Sequence, residues 1–349
     1  MHRMKLLPLL LLPAAGGALA HDVGASLQDA LSWGAEPWVA ACLALSLLWY
    51  VQGMVRLWQR AWQSRPLLLR QFGCFGAGWA MLALALASPL DGAGSYAFFA
   101  HMVQHEVLMI VAAPLLVLGR PFGVWIWSLP GRWRGAVGKA THARLLAWCW
   151  RAITRPVSAW ILHFVALWVW HVPALFQAGL VDNDVHALQH ASFLFSALLF
   201  WWAVLGKDGV HHSRGASIVY LFTTMMHTGA LGALFTMSET VWYPLYGNRP
   251  EWFGLTPLED QQLGGLIMWI PGGLAYVVAG LVLGARWLSP GRGAAGGGAA
   301  SGSAGAAGSA GAASAAAAAA APRAAVAGAA GASAGAATPA APVIRKGPR

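Results

Sequence analysis

The sequence predicts an all-α membrane protein, a seven-transmembrane-helix bundle followed by a disordered Ala/Gly-rich C-terminal tail. Three observations carry that prediction. Of 349 residues, 58% are hydrophobic and only 10% charged, too apolar and too poor in charge for a soluble domain of ordinary composition. Seven apolar segments of spanning length succeed one another between residues 37 and 285. The basic residues fall in alternate connections between those segments, which is how a membrane protein sets its orientation.

The chain opens with Arg3 and Lys5, a Leu-rich run from Leu6 to Leu12, and Ala18-Leu19-Ala20, the charged, apolar and cleavage regions of a secretory signal peptide. The apolar run is too short to span a bilayer. Cleavage after Ala20 would leave His21 as the first residue of the mature chain, an imidazole beside a free amine. Both nitrogens suit Cu(II), so His21 is a candidate for capturing that ion.

The seven spans are expected near Pro37 to Leu57, Gln71 to Leu90, Ala97 to Gly119, Val157 to Phe176, Ala187 to Leu205, Ala216 to Met237 and Gly264 to Ala285. Arg56, Arg60, Arg65 and Arg70 follow the first; Arg120, Arg132, Arg134, Lys139, Arg144, Arg151 and Arg155 follow the third; Lys207 and Arg214 follow the fifth; Arg286 and Arg292 follow the seventh. By the positive-inside rule these are the cytoplasmic connections. The opposite set carries Asp91, Asp182, Asp184, Glu239, Glu251, Glu259 and Asp260, with Arg249 its one basic residue. The expected location is the bacterial plasma (inner) membrane, multi-pass, with a periplasmic mature N-terminus and a cytoplasmic tail.

The inner connection from Phe122 to Arg155 mixes Trp125, Trp127, Trp133, Trp148 and Trp150 with arginines, the pattern of a segment lying on the membrane surface. From Ser289 onward the chain is Ala, Gly, Ser and Pro with few bulky apolar residues, too little to build a core. The domain organisation is therefore a signal peptide at 1–20, a membrane domain at 21–288 and a low-complexity cytoplasmic tail at 289–349. A net charge of +10 would suggest nucleic acid in a soluble protein; here the charge belongs to short inter-span loops, and the partner it implies is membrane lipid. Cys42, Cys74 and Cys149 form no closely spaced pair, so neither a disulfide framework nor a thiolate metal site is expected.

Histidines stand out within the spans. His101 and His105 lie four residues apart at the outer start of the third span, so they share one helix face about 6 Å apart along the axis. His186 and His190 repeat the spacing at the outer start of the fifth, and His171 falls near the outer end of the fourth. Five imidazoles from three helices are thus placed at one depth, where hydrocarbon penalises them by a few kcal/mol each unless they have partners. They form a candidate metal or haem site. His163 and His227 lie nearer the midplane, and His227 is an additional candidate ligand. Glu106, about 100° round the helix from His105, and Met109 are candidates for supporting the ligands or moving a proton. Met102, Met225, Met226 and Met237 share these helices, and thioether sulfur suits Cu(I). Glu259 and Asp260 are placed in the last outer loop, as candidates for guarding the entrance or meeting a partner.

The motifs His101-Met-Val-Gln-His105, Pro114-Leu-Leu-Val-Leu-Gly119-Arg-Pro121, Trp170-His171-Val-Pro173, His186-Ala-Leu-Gln-His190, Leu199-Phe-Trp-Trp202 and Thr256-Pro-Leu-Glu-Asp-Gln261 through Trp269 together resemble the multi-span cytochrome c oxidase assembly factors of the caa3 type, the CtaG family. The resemblance runs from about Pro37 to Ala285. It implies a part in maturing a haem-copper oxidase through supply or insertion of copper, with oxidase subunits or their copper chaperones as partners. The Ala/Gly-rich tail and the Trp-rich inner loop lie outside the family's pattern.

Three readings of the histidines follow. In the first, His101, His105, His171, His186 and His190 line an outward-facing copper site supplied from the periplasm; imidazole binds both copper oxidation states, and the lack of thiolate keeps affinity moderate enough for transfer. In the second, histidines on two facing helices hold haem b in an electron carrier. In the third, they are interhelical hydrogen-bond donors in a scaffold for oxidase subunits. No nucleophile arrangement, P-loop or soluble catalytic domain is present in the sequence, so an enzyme is not expected.

Overall fold

A computed structural model describes residues 31, 33, 35–141, 143–206 and 214–288. The expected signal peptide, His21 and the tail lie outside the described residues. Among the described residues the secondary structure is helical, with turns between helices and no strand. In chain order the helices are α1 Pro37–Arg60, α2 Arg65–Ala87, α3 Pro89–Gly94, α4 Phe98–Glu106, α5 Ala113–Gly119, α6 Pro121–Ser128, α7 Gly131–Thr141, α8 Arg144–Thr154, α9 Pro156–Trp170, α10 Pro173–Val181, α11 Asn183–Leu205, α12 Arg214–Thr236 and α13 Pro257–Leu288. Proline stands in the first turn of many of these helices, where its missing N–H costs nothing and its fixed φ suits the helix.

Six helical stretches are long and apolar enough to cross a membrane: Pro37–Arg60, Trp62–Ala87, Phe98–Gly119, Asn183–Leu205, Gly215–Thr236 and Pro257–Ala285. A seventh is obtained if α8 and α9, which meet at 65°, are taken as one span. The protein is therefore a multi-pass membrane protein of six or seven spans.

The expected fourth span, Val157 to Phe176, is corrected. The helix stops at Trp170, and Phe176 belongs to the separate helix α10. Pro173 is the cause: it has no N–H to give to the carbonyl four residues back, and it disfavours helical backbone at Val172 before it. The 15 residues of α9 rise only about 22 Å, short of a ~30 Å hydrocarbon core.

The third span is one rod with an internal irregularity. Between α4 and α5 the backbone takes a π-helical turn at Val107–Ala112, ending two positions before Pro114. Proline cannot donate to the carbonyl four residues earlier, and the wider turn reroutes the bonding where the regular ladder would fail. The rod ends at Arg120, whose left-handed φ of 50° turns the chain into Pro121; the Tyr50 hydroxyl donates to the Gly119 carbonyl at 2.8 Å and ties that turn to α1. The Leu-Gly-Arg-Pro motif is thus a corner.

The α4–α5 rod and α11 are the most enclosed spans, while α1, α2 and α13 face outward over most of their length. The main apolar core gathers on α11, with Phe193, Ala197, Phe200 and Trp201 packed against Met109 and Ala113 of the third span and Leu167 of α9. Trp201 Nε1 donates to the Met109 carbonyl at 2.8 Å. Helices α12 and α13 pair closely because glycine meets glycine: a Cβ on Gly232 would lie 2.7 Å from the Gly265 carbonyl oxygen, and one on Gly265 would lie 2.6 Å from that of Gly232. Small residues permit such backbone approach between membrane helices.

The connection from Pro121 to Arg155 forms α6, α7 and α8, with Trp133, Leu145, Leu146 and Trp148 exposed. Arg56 donates to the carbonyls of Trp127, Ser128 and Leu129 at the end of α6, satisfying oxygens that the helix terminus leaves without donors.

Candidate metal centre

The first turn of α4 begins at Ala97 and Phe98 with no side chain of its own to cap it. Asp260, from the start of α13, does so instead: its carboxylate accepts from the backbone N–H of Phe98 at 2.7 Å and of Phe99 at 2.9 Å. An anion at a helix N-terminus meets both unsatisfied donors and the positive end of the dipole. The following turns of α4 then present His101 and His105 on one face, each about 1% exposed.

His171 arrives from the other direction. It is the residue at which α9 ends, so the break imposed by Pro173 is also what places the imidazole. Its Nδ1 lies 2.6 Å from the Leu167 carbonyl. A carbonyl only accepts, so Nδ1 carries the proton and Nε2 keeps its lone pair. The same reasoning holds for His101, whose Nδ1 faces the Gly94 carbonyl at 3.4 Å. Backbone oxygens that fix the tautomer in this way are a recurrent support for metal-ligating histidine.

His186 and His190 sit in the first turns of α11, which Asp182 caps by accepting from the N–H groups of Asp184 and Val185. The rings converge. His186 and His190 have centroids 4.1 Å apart, His101 and His105 4.3 Å, His105 and His190 5.1 Å, and His101 and His186 5.2 Å. One ring nitrogen from each of His101, His186 and His190 lies within 4.8 Å of the others. His171 stands at the margin, 6.4 Å from His105. Phe176 and Phe193 close the apolar walls, 5.0 Å from His101 and 4.6 Å from His105.

Nε2 of His101, His171 and His190 and both nitrogens of His105 are buried with no hydrogen-bond partner among the described residues. Orphaned polar atoms in a dry interior cost about 1–3 kcal/mol each. The donor set fits a cation that accepts nitrogen: three imidazoles able to reach one point, two more beside them, and no thiolate or carboxylate in the group. Zinc or copper are ions of that kind.

The loop before α13 holds this arrangement from one end. The Tyr243 hydroxyl donates to the His171 carbonyl at 2.8 Å, and that of Tyr246 to the Gly94 carbonyl, the same oxygen that His101 faces, at 3.1 Å. Burial pushes both phenols up, well above their usual range, so they act as neutral donors. Gln104 and Gln189 are fully buried beside the histidines; Gln104 Nε2 donates to the Ala85 carbonyl at 2.8 Å and to Asp91 at 2.6 Å, tying α4 to α2 and α3. These four residues were missed in the sequence. The glutamines had a signal: both histidine pairs read His-x-x-Gln-His. The tyrosines had none, since a loop's contacts are not periodic.

Other candidate residues are placed elsewhere. His227 does not join the group; its ring neighbours are Trp160 at 5.3 Å and Phe164 at 5.0 Å. His163 bonds to Ser196 at 3.1 Å. Glu259 and Asp260, expected at the entrance, are committed to helix starts. Glu259 accepts from the N–H and hydroxyl of Thr256 at 2.8 Å each, a capping box for α13, and Asp260 is buried beneath α4. Glu106 and Met109 lie on the same rod as His105 but line a cavity of their own with residues of α12 and α13.

Residues 48–289 match the family model described as Cytochrome c oxidase caa3 assembly factor (Caa3_CtaG). Among curated proteins, the chain is 28% identical over 269 residues to uncharacterized proteins of Mycobacterium bovis (Mb0105) and Mycobacterium tuberculosis (MT0111), in each case over 73% of this chain and 39% of the relative. The chain thus spans about two fifths of the length of these relatives. No solved structure matches it.

Proposed function

Because the chain belongs to the cytochrome c oxidase caa3 assembly factor family, we propose that it serves the maturation of a haem-copper oxidase by holding copper as cargo at the histidine centre and passing it on. The observation that supports this most directly is the set of Nε2 lone pairs at His101, His171 and His190, two of them pre-set by backbone carbonyls, in a buried pocket. His101, His186 and His190 hold the ion, and His105 and His171 stand close enough to exchange with them during entry or release. An all-nitrogen site serves either copper oxidation state and binds less tightly than thiolate, which suits transfer. His21, at the expected mature N-terminus, is the proposed point of first capture. The histidine end faces the exported side in this reading, supported by the acidic loops of that end and the basic loops of the other. Oxidase subunits or their copper chaperones are the proposed partners.

Spacing favours an ion over haem b. Rings 4.1–5.2 Å apart, hemmed by Phe176 and Phe193, suit one small centre, whereas a macrocycle would have to part them. Metal analysis of the protein purified after copper-replete expression, with an absorption spectrum on the same sample, tests the proposal. Near-stoichiometric copper without a Soret band is the expected result; a metal-free protein, or a Soret band in place of copper, overturns it.

A further inference from the structure

One turn below the histidines lies a second donor set of different chemistry. Glu106, Met109, Thr228, Met268, Gly272 and Tyr276 line a small cavity with room for about one water molecule. It adjoins the centre directly: Leu167, whose carbonyl accepts from His171, forms part of its wall, and Met109 follows His105 by four residues. Glu106 Oε2 is buried there with no hydrogen-bond partner among the described residues. The carboxyl is laid against bare backbone, since a Cβ on Gly272 would come 3.0 Å from Oε2.

Two of the helices that form the cavity, the third span and α13, break their regular ladder at it. The π-helical turn of the third span begins at Val107, directly after Glu106, and Pro271 interrupts α13 directly before Gly272. Such irregularities concentrate at functional sites, because they free backbone groups or re-aim side chains. The Thr228 hydroxyl donates to the Thr224 carbonyl at 3.0 Å, so its oxygen lone pairs remain for an electropositive neighbour.

From this arrangement we infer a second metal site, deeper than the histidines, in which the Glu106 carboxylate and the thioethers of Met109 and Met268 take a soft monovalent cation, Cu(I). Thioether sulfur selects soft ions. Charge selects valence: one carboxylate and one monovalent ion make a neutral pair, whereas a divalent ion would leave a net positive charge in the membrane interior, at a cost of several kcal/mol. The cavity is too small for a hydrated ion, so the ion enters bare. As a cation site it stands on these residues alone; as a waypoint for cargo leaving the histidines it rests on the copper reading above.

Silver(I), a redox-inert stand-in for Cu(I), separates the two sites. Because free thiols bind Ag(I) more tightly than either site would, the full-length protein is first made with Cys42, Cys74 and Cys149 replaced by alanine; in detergent it is equilibrated with Ag(I), desalted and assayed for bound metal, with thermal unfolding followed on each variant. This cysteine-free parent, in which all further variants are made, is expected to hold two equivalents. The near-isosteric variant Met109→Leu/Met268→Leu and, separately, Glu106→Gln are each expected to hold one, as is His101→Asn/His186→Asn/His190→Asn. X-ray absorption of the Cu(I)-loaded triple histidine variant should show sulfur neighbours that vanish when Met109 and Met268 are also replaced. Two equivalents retained in both Met109→Leu/Met268→Leu and Glu106→Gln, or a single equivalent that disappears with the histidines alone, overturns the inference. A single equivalent lost only with the methionines sinks the histidine reading and leaves this one standing.

Discussion

The Asp260 carboxylate and the Phe98 amide, 162 positions apart in the chain, meet at 2.7 Å, and that bond fixes the start of the helix carrying His101 and His105. Replacing Asp260 with alanine removes the acceptor for two N–H groups, that of Phe98 buried and that of Phe99 partly so. Loss of a capping side chain costs about 0.5–2 kcal/mol, here with a charge-assisted bond at stake. Asp260→Ala is therefore expected to lower the unfolding temperature in detergent and to weaken copper binding, while Asp260→Asn, which keeps one carbonyl oxygen, falls between it and the unaltered protein. A melt and a metal titration on the three proteins measure this, and identical behaviour would show that α4 is held by something else.

Arg120 stands in left-handed backbone at φ 50°. A side chain with a Cβ pays roughly 1–2 kcal/mol there, and glycine does not. Arg120→Gly should consequently be more stable than Arg120→Ala by about 1 kcal/mol, a comparison that cancels the loss of the arginine charge common to both. Equal melting of the two variants would mean that the turn is not held in this conformation in the membrane protein.

Much of this was legible beforehand, and the exceptions have physical reasons. The third and fifth spans, and the meeting of His101, His105, His186 and His190, followed from hydropathy and four-residue spacing, because helical geometry carries a local pattern into space with little ambiguity. The fourth span was misread beyond Trp170: hydropathy ran on through Val172, while Pro173 ended the helix, a steric fact to which an apolar average is blind. Glu259 and Asp260 were read as one entrance pair, yet neighbours in a helical turn point in different directions, and one caps its own helix while the other reaches α4. His227 shared the residue type of the cluster but not its depth or face. Tyr243 and Tyr246 bind carbonyls 72 and 152 positions away, and no local signal encodes such contacts.

Two glycine-to-alanine changes, one at the Gly232–Gly265 crossing and one away from it, should have opposite signs. At Gly232 a methyl group would meet the Gly265 carbonyl oxygen at 2.7 Å, and backbone cannot retreat as a flexible side chain can. Gly232→Ala is expected to destabilise by about 1–3 kcal/mol, the usual range for overpacking. Gly123 lies within α6 with nothing inside 4 Å of the added Cβ, so Gly123→Ala gains helix propensity and should stabilise by about 0.5–1 kcal/mol. Chemical or thermal unfolding of both variants in one detergent checks the two signs, and an undiminished stability of Gly232→Ala would mean that α12 and α13 do not cross as closely as described.

The sharpest contrast lies between His190 and His227. Both are histidines on spanning helices, and both carry a buried Nε2 without a hydrogen-bond partner among the described residues, so a scaffold that used histidines only for packing would treat them alike. Their surroundings differ: His190 faces His101, His105 and His186, whereas His227 faces Trp160 and Phe164. A metal centre needs several nitrogens at one point, and losing one of three ligands should cost at least tenfold in affinity, about 1.4 kcal/mol or more. His190→Asn is expected to lose stoichiometric copper and, in cells, most oxidase assembly, while His227→Asn keeps both. Equal assembly in the two strains would favour the scaffold. Equal loss of copper would mean that the ion sits deeper in the bundle than the centre described above.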